Sequence, residues 1–333
     1  MTISPDSRIA GRTVAFVFPG QGSQKPGMGR AWAEARAEAR QTFEEADRVL
    51  GFPLSRLCWE GPEDELGLTV NTQPALLTTS VAIHRCLQDS PLAAVAHAGH
   101  SLGEYSAFVA AGALDFADAL RLVRRRGELM QEAVPVGVGG MAAIIGLDTD
   151  AVTAIAQESG TAGEVCAVAN LNGPGQTVLA GHKGAIDRAV ALAKERGARK
   201  ATVLAVSAPF HSPLMRPARE GMAELLDKTT FADPRVPVVS NVDAAPVTTG
   251  AAARDALIRQ IDNPVRWVES VVWMAEQAGV GAFLEVGPGN VLSGLNRRIV
   301  TGVVTAGLAE PDQLRKLLEG GPEEGKEGKE GKE

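Results

Sequence analysis

Cysteine and tyrosine are scarce in this 333-residue chain, which has three of the first and one of the second. Cys58, Cys86 and Cys166 are odd in number and widely spaced. They therefore form neither a disulfide framework nor the close pairs of a zinc site, and this usage fits a reducing compartment. No apolar run approaches the roughly 20 residues of a membrane-spanning helix, and the first dozen residues hold no apolar signal core. We expect a cytoplasmic protein.

Stretches of basic residues interleaved with aromatics are also missing. Aromatic residues make up 4% of the chain, the formal net charge is −7 and the sequence pI is about 5.4. These values argue against nucleic-acid binding. With 45% hydrophobic and 22% charged residues, the chain has the composition of a globular protein able to bury a large core. We expect a monomer that binds neither nucleic acid nor a membrane.

Strands alternate with helices over much of the chain. Residues 13–18 form an apolar, β-branched and aromatic run that Pro19 and Gly20 end, which predicts a buried strand. Residues 29–50 have helical composition, and residues 73–87 predict a buried helix with Pro74 in its first turn. This alternation favours an α/β fold with a mainly parallel sheet.

The pattern changes near residue 135. Four short strands and two helices follow in the order β-α-β-β-α-β, which is typical of a ferredoxin-like unit. We place this small subdomain at residues 135–206, inserted into a large α/β domain made of residues 12–134 and 207–318. The last residues, 319–333, repeat Gly-Lys-Glu and have no apolar side chain to bury, so we expect a disordered tail.

The pentapeptide GHSLG at residues 99–103 fits the G-x-S-x-G pattern of a nucleophile on a sharp turn between a strand and a helix. Small neighbours let the backbone bend tightly and leave the Ser101 hydroxyl exposed. The N–H of Leu102, at the start of the helix, can then donate to an oxyanion. The alternative is a glycine-rich turn in which Ser101 only caps the helix.

A serine nucleophile needs a base, and the chain has five histidines. His211 lies in a loop between Pro209 and Pro213, directly after a predicted strand, where α/β proteins place their sites. His97 and His100 flank the serine, but the backbone direction is expected to point them away from its side chain. His84 and His182 have simple structural interpretations. His211 is therefore the candidate base.

Five motifs occur in a set order along the chain: FPGQGSQ (18–24), TQPA (72–75), GHSLGE (99–104), PFHS (209–212) and EVGPG (285–289). In these motifs the chain resembles the malonyl-CoA:acyl-carrier-protein transacylases, the acyltransferase family of fatty acid and polyketide synthesis. The likeness runs from about residue 13 to about residue 309. It implies an α/β-hydrolase-like large domain with a ferredoxin-like insertion.

The resemblance also implies the chemistry. Ser101 would attack malonyl-CoA with His211 as base, and the malonyl-serine ester would pass to the phosphopantetheine thiol of acyl carrier protein. The amides of Gln21 and Leu102 would form the oxyanion hole. A backbone carbonyl at Gln260 would orient the histidine without an acidic third member, so the Gln260 side chain is expected to tolerate substitution. No metal or cofactor is implied, because the CoA thioester is a substrate.

Arg126 takes the role of the malonate-binding arginine, because it precedes a glycine as the family residue does. Its planar fork can hold a carboxylate through two parallel hydrogen bonds. Arg124 and Arg125 are expected to be a solvated basic face. By resemblance, further substrate-binding positions are Met130, Phe210 and Gln73, and supporting positions near the site are Asn172 and Asn241.

Three other functions remain open at this point. A freestanding acyltransferase of polyketide synthesis would have the same residues and chemistry. A serine esterase or thioesterase would share the turn at Ser101 but would give Arg126 no purpose and would favour the order Ser…Asp…His. A non-catalytic module that binds a carrier protein would lack the nucleophile or the base, and both are present here.

Overall fold

Two separate sheets contain the strands of this protein in the computed structural model, which describes residues 2–206 and 208–320. The strands are β1 (Val14–Phe18), β2 (Ala94–Gly99), β3 (Gly139–Ile145), β4 (Cys166–Gly173), β5 (Gln176–His182), β6 (Lys200–Val203), β7 (Val238–Val239), β8 (Pro246–Val247), β9 (Ala282–Glu285) and β10 (Val304–Gly307).

The helices precede and follow these strands. They are α1 (Arg30–Ala35), α2 (Ala37–Leu50), α3 (Leu54–Glu60), α4 (Glu63–Gly67), α5 (Thr69–Leu87), α6 (Leu102–Ala110), α7 (Phe116–Glu132), α8 (Thr149–Ser159), α9 (Lys183–Glu195), α10 (Arg216–Leu226), α11 (Gly250–Gln260), α12 (Trp267–Glu276), α13 (Val291–Ile299) and α14 (Pro311–Glu319), with a 3₁₀ turn at Pro213–Met215. None of the described helices combines the length and apolar character that crossing a membrane would require.

The large sheet has six strands in the order β10-β9-β1-β2-β7-β8, parallel except for the β7–β8 pair. All five residues of β1 are buried. Phe16 and Phe18 pack into one core, whereas Ala15 and Val17 pack into another on the opposite face. Because side chains alternate along a strand, helices must cover both faces of this sheet. Loops at the carboxyl ends of its central strands therefore form the natural place for a site.

The small sheet has four antiparallel strands in the order β4-β5-β3-β6. Helices α8 and α9 cover one face through a cluster that includes Ile155 and Ile186. The other face carries Met141 and Val178 and packs against Phe210 of the loop after β6. This is the ferredoxin-like arrangement, and the predicted α/β fold with its ferredoxin-like unit is confirmed.

The structure differs from the sequence predictions in some elements. Pro74 is the sixth residue of α5 rather than part of its first turn. Helix α14 includes Glu319, the first residue of the predicted tail. Gly320, in a left-handed conformation, caps its carboxyl end. The rest of the predicted tail, residues 321–333, lies outside the described residues. The sequence predictions contain no counterpart of helices α3, α4, α10, α13 and α14.

Candidate active site

Ser101 stands between β2 and α6 on a strained turn, with φ 50° and ψ −109°. A Cβ at Gly99 would overlap the backbone of Gly103, and a Cβ at Gly103 would overlap the carbonyl of Phe18. The turn therefore requires both glycines. The Ser101 side chain makes no capping hydrogen bond to α6, so the helix-cap interpretation does not hold. Its hydroxyl is left free for other partners.

His211 is the partner of that hydroxyl. Its Nε2 lies 2.6 Å from Ser101 Oγ, and its Nδ1 lies 2.9 Å from the carbonyl oxygen of Gln260. Because a carbonyl only accepts, Nδ1 carries the proton and Nε2 accepts the hydrogen bond from the serine hydroxyl. His211 itself has φ 56°, an uncommon conformation for a residue with a side chain. The histidine is thus held in the tautomer that a general base requires.

Arg126 reaches the same hydroxyl from α7. Only 2% of the residue is exposed. One terminal nitrogen donates to Gln73 Oε1 at 2.8 Å, and the other donates to Gln260 Oε1 at 2.7 Å and to Ser101 Oγ at 3.3 Å. Its Cζ lies 5.6 Å from the ring centre of Tyr105, the only tyrosine of the chain. A buried, charged guanidinium beside a nucleophile suits an anionic substrate.

Two carboxamides fix the backbone of the turn. Asn241 accepts a hydrogen bond from Ser101 N at 2.7 Å and donates to the carbonyl of Gly99 at 2.7 Å. Gln260 donates to the carbonyl of Ser101 at 2.7 Å and to Glu104 Oε2 at 2.7 Å. The Gln260 side chain is buried and also accepts from Arg126, so its predicted tolerance of substitution does not fit this structure.

The turn opens onto a cavity of about 190 Å³ between the two sheets. Ligand cavities commonly measure about 300–1,000 Å³, so this one suits a short acyl group. Its lining residues are Gln21, Gln73, His100, Ser101, Leu102, Arg126, Met130, Met141, Asn170, Asn172, Val178, Leu204, Val206, Phe210 and His211.

Gln21 and Leu102 meet at this cavity because two loops pack closely. A Cβ at Gly20 would overlap the carbonyl of His100, so the loop after β1 lies directly against the serine turn. Leu102 is the first residue of α6, and its N–H has no acceptor within the helix. Leu102 therefore offers a free backbone N–H next to Ser101, and Gln21 lines the same cavity.

Burial sets the protonation of the charged groups. Burial, with the charge of Arg126 as the second cause, lowers the pKa of His211 to about 3, so the imidazole is neutral and able to accept a proton. Burial raises the pKa of Glu104 to about 7 against the opposing effect of its hydrogen bonds. Desolvation lowers the pKa of Arg126, and the nearby Tyr105 and Glu104 oppose this shift.

Every candidate site residue predicted from the sequence lies in or beside this cavity. Gln21, Gln73, Leu102, Met130, Phe210 and Asn172 line the cavity, while Asn241 and Gln260 support the serine turn from behind. The structure brings them together, but their roles remain predictions.

The structure adds detail to two expectations about neighbouring residues. His100 lines the cavity, but its Nε2 lies 2.8 Å from Asn172 Oδ1, and His211 is the histidine that contacts Ser101 Oγ. Arg124 is 32% exposed in its side chain, and it also donates to the carbonyl of Val70 and to Asn71 Oδ1, at 3.1 and 2.6 Å. Arg125 does form surface ion pairs, with Glu128 and Glu132.

Glu104 and Asn170 are site residues that the sequence predictions missed. Glu104 belongs to the GHSLGE motif but had no assigned role. Asn170 lies two residues before Asn172 on β4, whose pairing with β5 shifts register beside each of them, and both residues line the cavity. Among the residues that the structure describes, no group of three or more histidine, cysteine or acidic side chains could hold a metal ion.

Comparison with known proteins agrees with this geometry. Residues 15–307 match the model of the acyl transferase domain. The chain is 53% identical over 306 residues to the malonyl CoA-acyl carrier protein transacylase of Escherichia coli K12, which covers 92% of this chain and 98% of that protein. It is 46% identical to the same-named protein of Bacillus subtilis, with 92% and 96% covered.

Solved structures are similar over the same range. A malonyl-transacylase in complex with its type II PKS acyl-carrier protein has a TM-score of 0.90 and 48% identity, covering 93% of this chain and 100% of that one. The malonyl CoA-acyl carrier protein transacylase of Coxiella burnetii has a TM-score of 0.90 and 43% identity, covering 93% and 98%. With its serine, histidine and arginine meeting at one cavity, this chain belongs to the acyl transferase domain family.

Proposed function

We propose that this protein transfers a malonyl group from malonyl-CoA to the phosphopantetheine thiol of an acyl carrier protein, through a malonyl ester of Ser101. The observation that carries this proposal is the meeting of three groups at one atom. Ser101 Oγ lies 2.6 Å from His211 Nε2 and 3.3 Å from a nitrogen of the buried Arg126. A nucleophile, a base and a fixed cation are what transfer of an anionic acyl group needs.

In the first half-reaction, His211 Nε2 takes the proton of Ser101 as Oγ attacks the thioester carbonyl. The N–H groups of Gln21 and Leu102 stabilise the oxyanion, while Arg126 binds the distal carboxylate. Collapse releases CoA, whose sulfur receives the proton from His211. The second half-reaction reverses these steps with the carrier-protein thiol as nucleophile. No cofactor takes part in this scheme.

The Gln260 carbonyl orients His211 in this scheme, and Gln73 and Met130 hold Arg126 in place. Gln73 connects the two, since it accepts from Arg126 and its Nε2 lies 3.8 Å from Met130 Sδ. We also propose that residues 135–206 form a subdomain that supplies one wall of the cavity, and that the reaction takes place in the cytoplasm.

The test is intact mass spectrometry after mixing the protein with malonyl-CoA. The wild-type protein should gain one malonyl group and lose it when holo acyl carrier protein is added. Ser101→Ala should gain none, and Ser106→Ala, five residues further along the buried α6, should behave as wild type. A malonyl adduct on Ser101→Ala would move the nucleophile elsewhere.

Fatty acid synthesis is the pathway we propose, and a polyketide synthase is the second candidate. The second is favoured by the similar transacylase that was solved with a type II PKS acyl-carrier protein. Transfer rates measured with both kinds of carrier protein would separate them, since the donor half-reaction is the same in each.

A further inference from the structure

Glu104 is a carboxylate with no solvent exposure, one turn after Ser101 on α6. Its oxygens accept hydrogen bonds from Gln260 Nε2 at 2.7 Å and from the backbone N–H of Asn241 at 3.3 Å. In the described part of the chain these partners are uncharged groups, and Arg126 acts on Glu104 only as a nearby charge. Since burying a carboxylate without a charged partner is costly, its position requires an explanation.

The nearest cation is linked to Glu104 through a single side chain. The carboxamide of Gln260 accepts from Arg126 through Oε1 at 2.7 Å and donates to Glu104 through Nε2 at 2.7 Å. Its dipole is thus aligned between the positive and the negative group. The guanidinium keeps a buried Nε that has no partner in the described residues. A carboxylate in direct contact would instead occupy the donors that a substrate needs.

The same carboxylate connects the groups that hold the nucleophile and the base. Gln260 binds the Ser101 carbonyl with its side chain and His211 with its own carbonyl. Asn241 holds the Ser101 N–H. Both residues hydrogen-bond to Glu104, so loss of that anchor would loosen the nucleophile, the base and Arg126 together.

We propose that Glu104 is a positioning residue and the indirect counter-ion of Arg126. It fixes Gln260 and Asn241 behind the serine turn, and it balances the guanidinium while leaving that group's free N–H donors to the carboxylate of the acyl substrate. This inference rests on the proposed malonyl transfer.

The charge of Glu104 should affect malonyl binding in a measurable way. The titratable groups facing Glu104 are Tyr105 beside it on α6, Arg126 from α7, and Asp243 from the loop after β7, which is itself paired with Arg259. An ionised Glu104 repels a second carboxylate brought to Arg126. Burial raises its pKa to about 7, so malonyl binding should weaken as pH rises through neutrality. Acetyl-CoA has no distal carboxylate but carries the same CoA phosphates. Dividing the KM for malonyl-CoA by that for acetyl-CoA therefore removes the effect of phosphate titration.

The experiment compares Glu104→Gln, which keeps the size and removes the charge, with Glu104→Ala, which removes the anchor. For the wild type, KM for malonyl-CoA relative to acetyl-CoA should rise about threefold between pH 6 and 8, and Glu104→Gln should abolish this rise. Glu104→Ala should lower kcat about 10-fold or more for both substrates.

Glu285→Gln is the matched control. Glu285 is equally buried, but it accepts from the N–H groups of Leu292 and Ser293 at the start of α13. This variant should lower the melting temperature and leave the pH dependence of the KM ratio unchanged.

Two results would overturn the role of Glu104: a wild-type pH dependence in Glu104→Gln, or an unchanged kcat in folded Glu104→Ala. If Glu104→Ala does not fold, the pH dependence of Glu104→Gln decides alone. Absence of a malonyl adduct on the wild type would refute the proposed function instead, so the two failures are distinguishable.

Discussion

Replacing Arg126 with alanine should separate malonyl from acetyl transfer. The side chain is buried and donates to Gln73, Gln260 and Ser101, so it is already fixed before a substrate carboxylate arrives. Removing one partner of a buried charge pair costs about 3–5 kcal/mol. Because each 1.4 kcal/mol is tenfold, Arg126→Ala should lower malonyl transfer by roughly 10²–10⁴.

Acetyl transfer should stay level or rise in the same variant, since acetyl has no carboxylate to lose and the cavity becomes larger and less polar. The assay is the ratio of kcat/KM for the two CoA esters with one carrier protein. Acetyl transfer also reports whether the serine and histidine remain in place. A ratio unchanged from wild type would refute the assignment of Arg126 to the carboxylate.

Arg125→Ala is the control for this experiment. Arg125 lies on the same helix but forms surface ion pairs with Glu128 and Glu132, and such pairs contribute about 0–1 kcal/mol. Its ratio should match the wild type. Arg124 is a poorer control, because its hydrogen bonds to Val70 and Asn71 join α7 to α5.

Two further predictions concern the loop after β6. His211→Ala should lower transfer by roughly 10²–10⁴, the usual contribution of a general base, and a loss below tenfold in a folded variant would contradict that role. Because the pKa of His211 is lowered to about 3, its neutral base form persists as the pH falls. The kcat/KM for acetyl-CoA should therefore not decline between pH 7 and 5, and a decline centred near pH 6.5 would contradict this. Phe210 lies against the apolar face of the small sheet and lines the cavity, so it leaves little room for an extra methyl group. Methylmalonyl-CoA should therefore be used less well than malonyl-CoA, by about 1–3 kcal/mol, and equal use in competition would refute this.

Local patterns made much of the fold predictable. Sequence periodicity is informative over a few residues or within one motif. Three features of this kind predicted parts of the fold: the apolar run of β1, the glycines around Ser101 and the β-α-β-β-α-β order. Helix α14 carried a signal that we did not use: Glu310 and Gln313 form a capping box, with Pro311 in its first turn. Helices α3, α4 and α13 are short, with 7, 5 and 9 residues, whereas α10 has 11 and carries Pro217 in its first turn, another start signal.

No local pattern indicates the support behind the serine turn, and only the family resemblance placed Asn241 and Gln260 near the site. Their side chains contact Ser101 from 140 and 159 residues away, so the hydrogen bonds themselves could not be predicted. The contact of His100 is long-range in the same way. Its Nε2 meets Asn172, 72 residues further along the chain, and no local pattern indicates that pairing.

The carbonyl that orients His211 has a consequence for the choice of acceptor. A neutral dipole stabilises the imidazolium less than a carboxylate would, and Arg126 opposes that cation further. Water, with a pKa of about 15.7, needs a strong base to become a nucleophile, whereas a thiol ionises near 8.5 and needs little help. Ser101 overcomes this because its hydroxyl is held 2.6 Å from Nε2, an advantage that a diffusing water lacks. A weakly supported histidine therefore favours an incoming thiol over water, which would protect the acyl ester from hydrolysis until a carrier arrives.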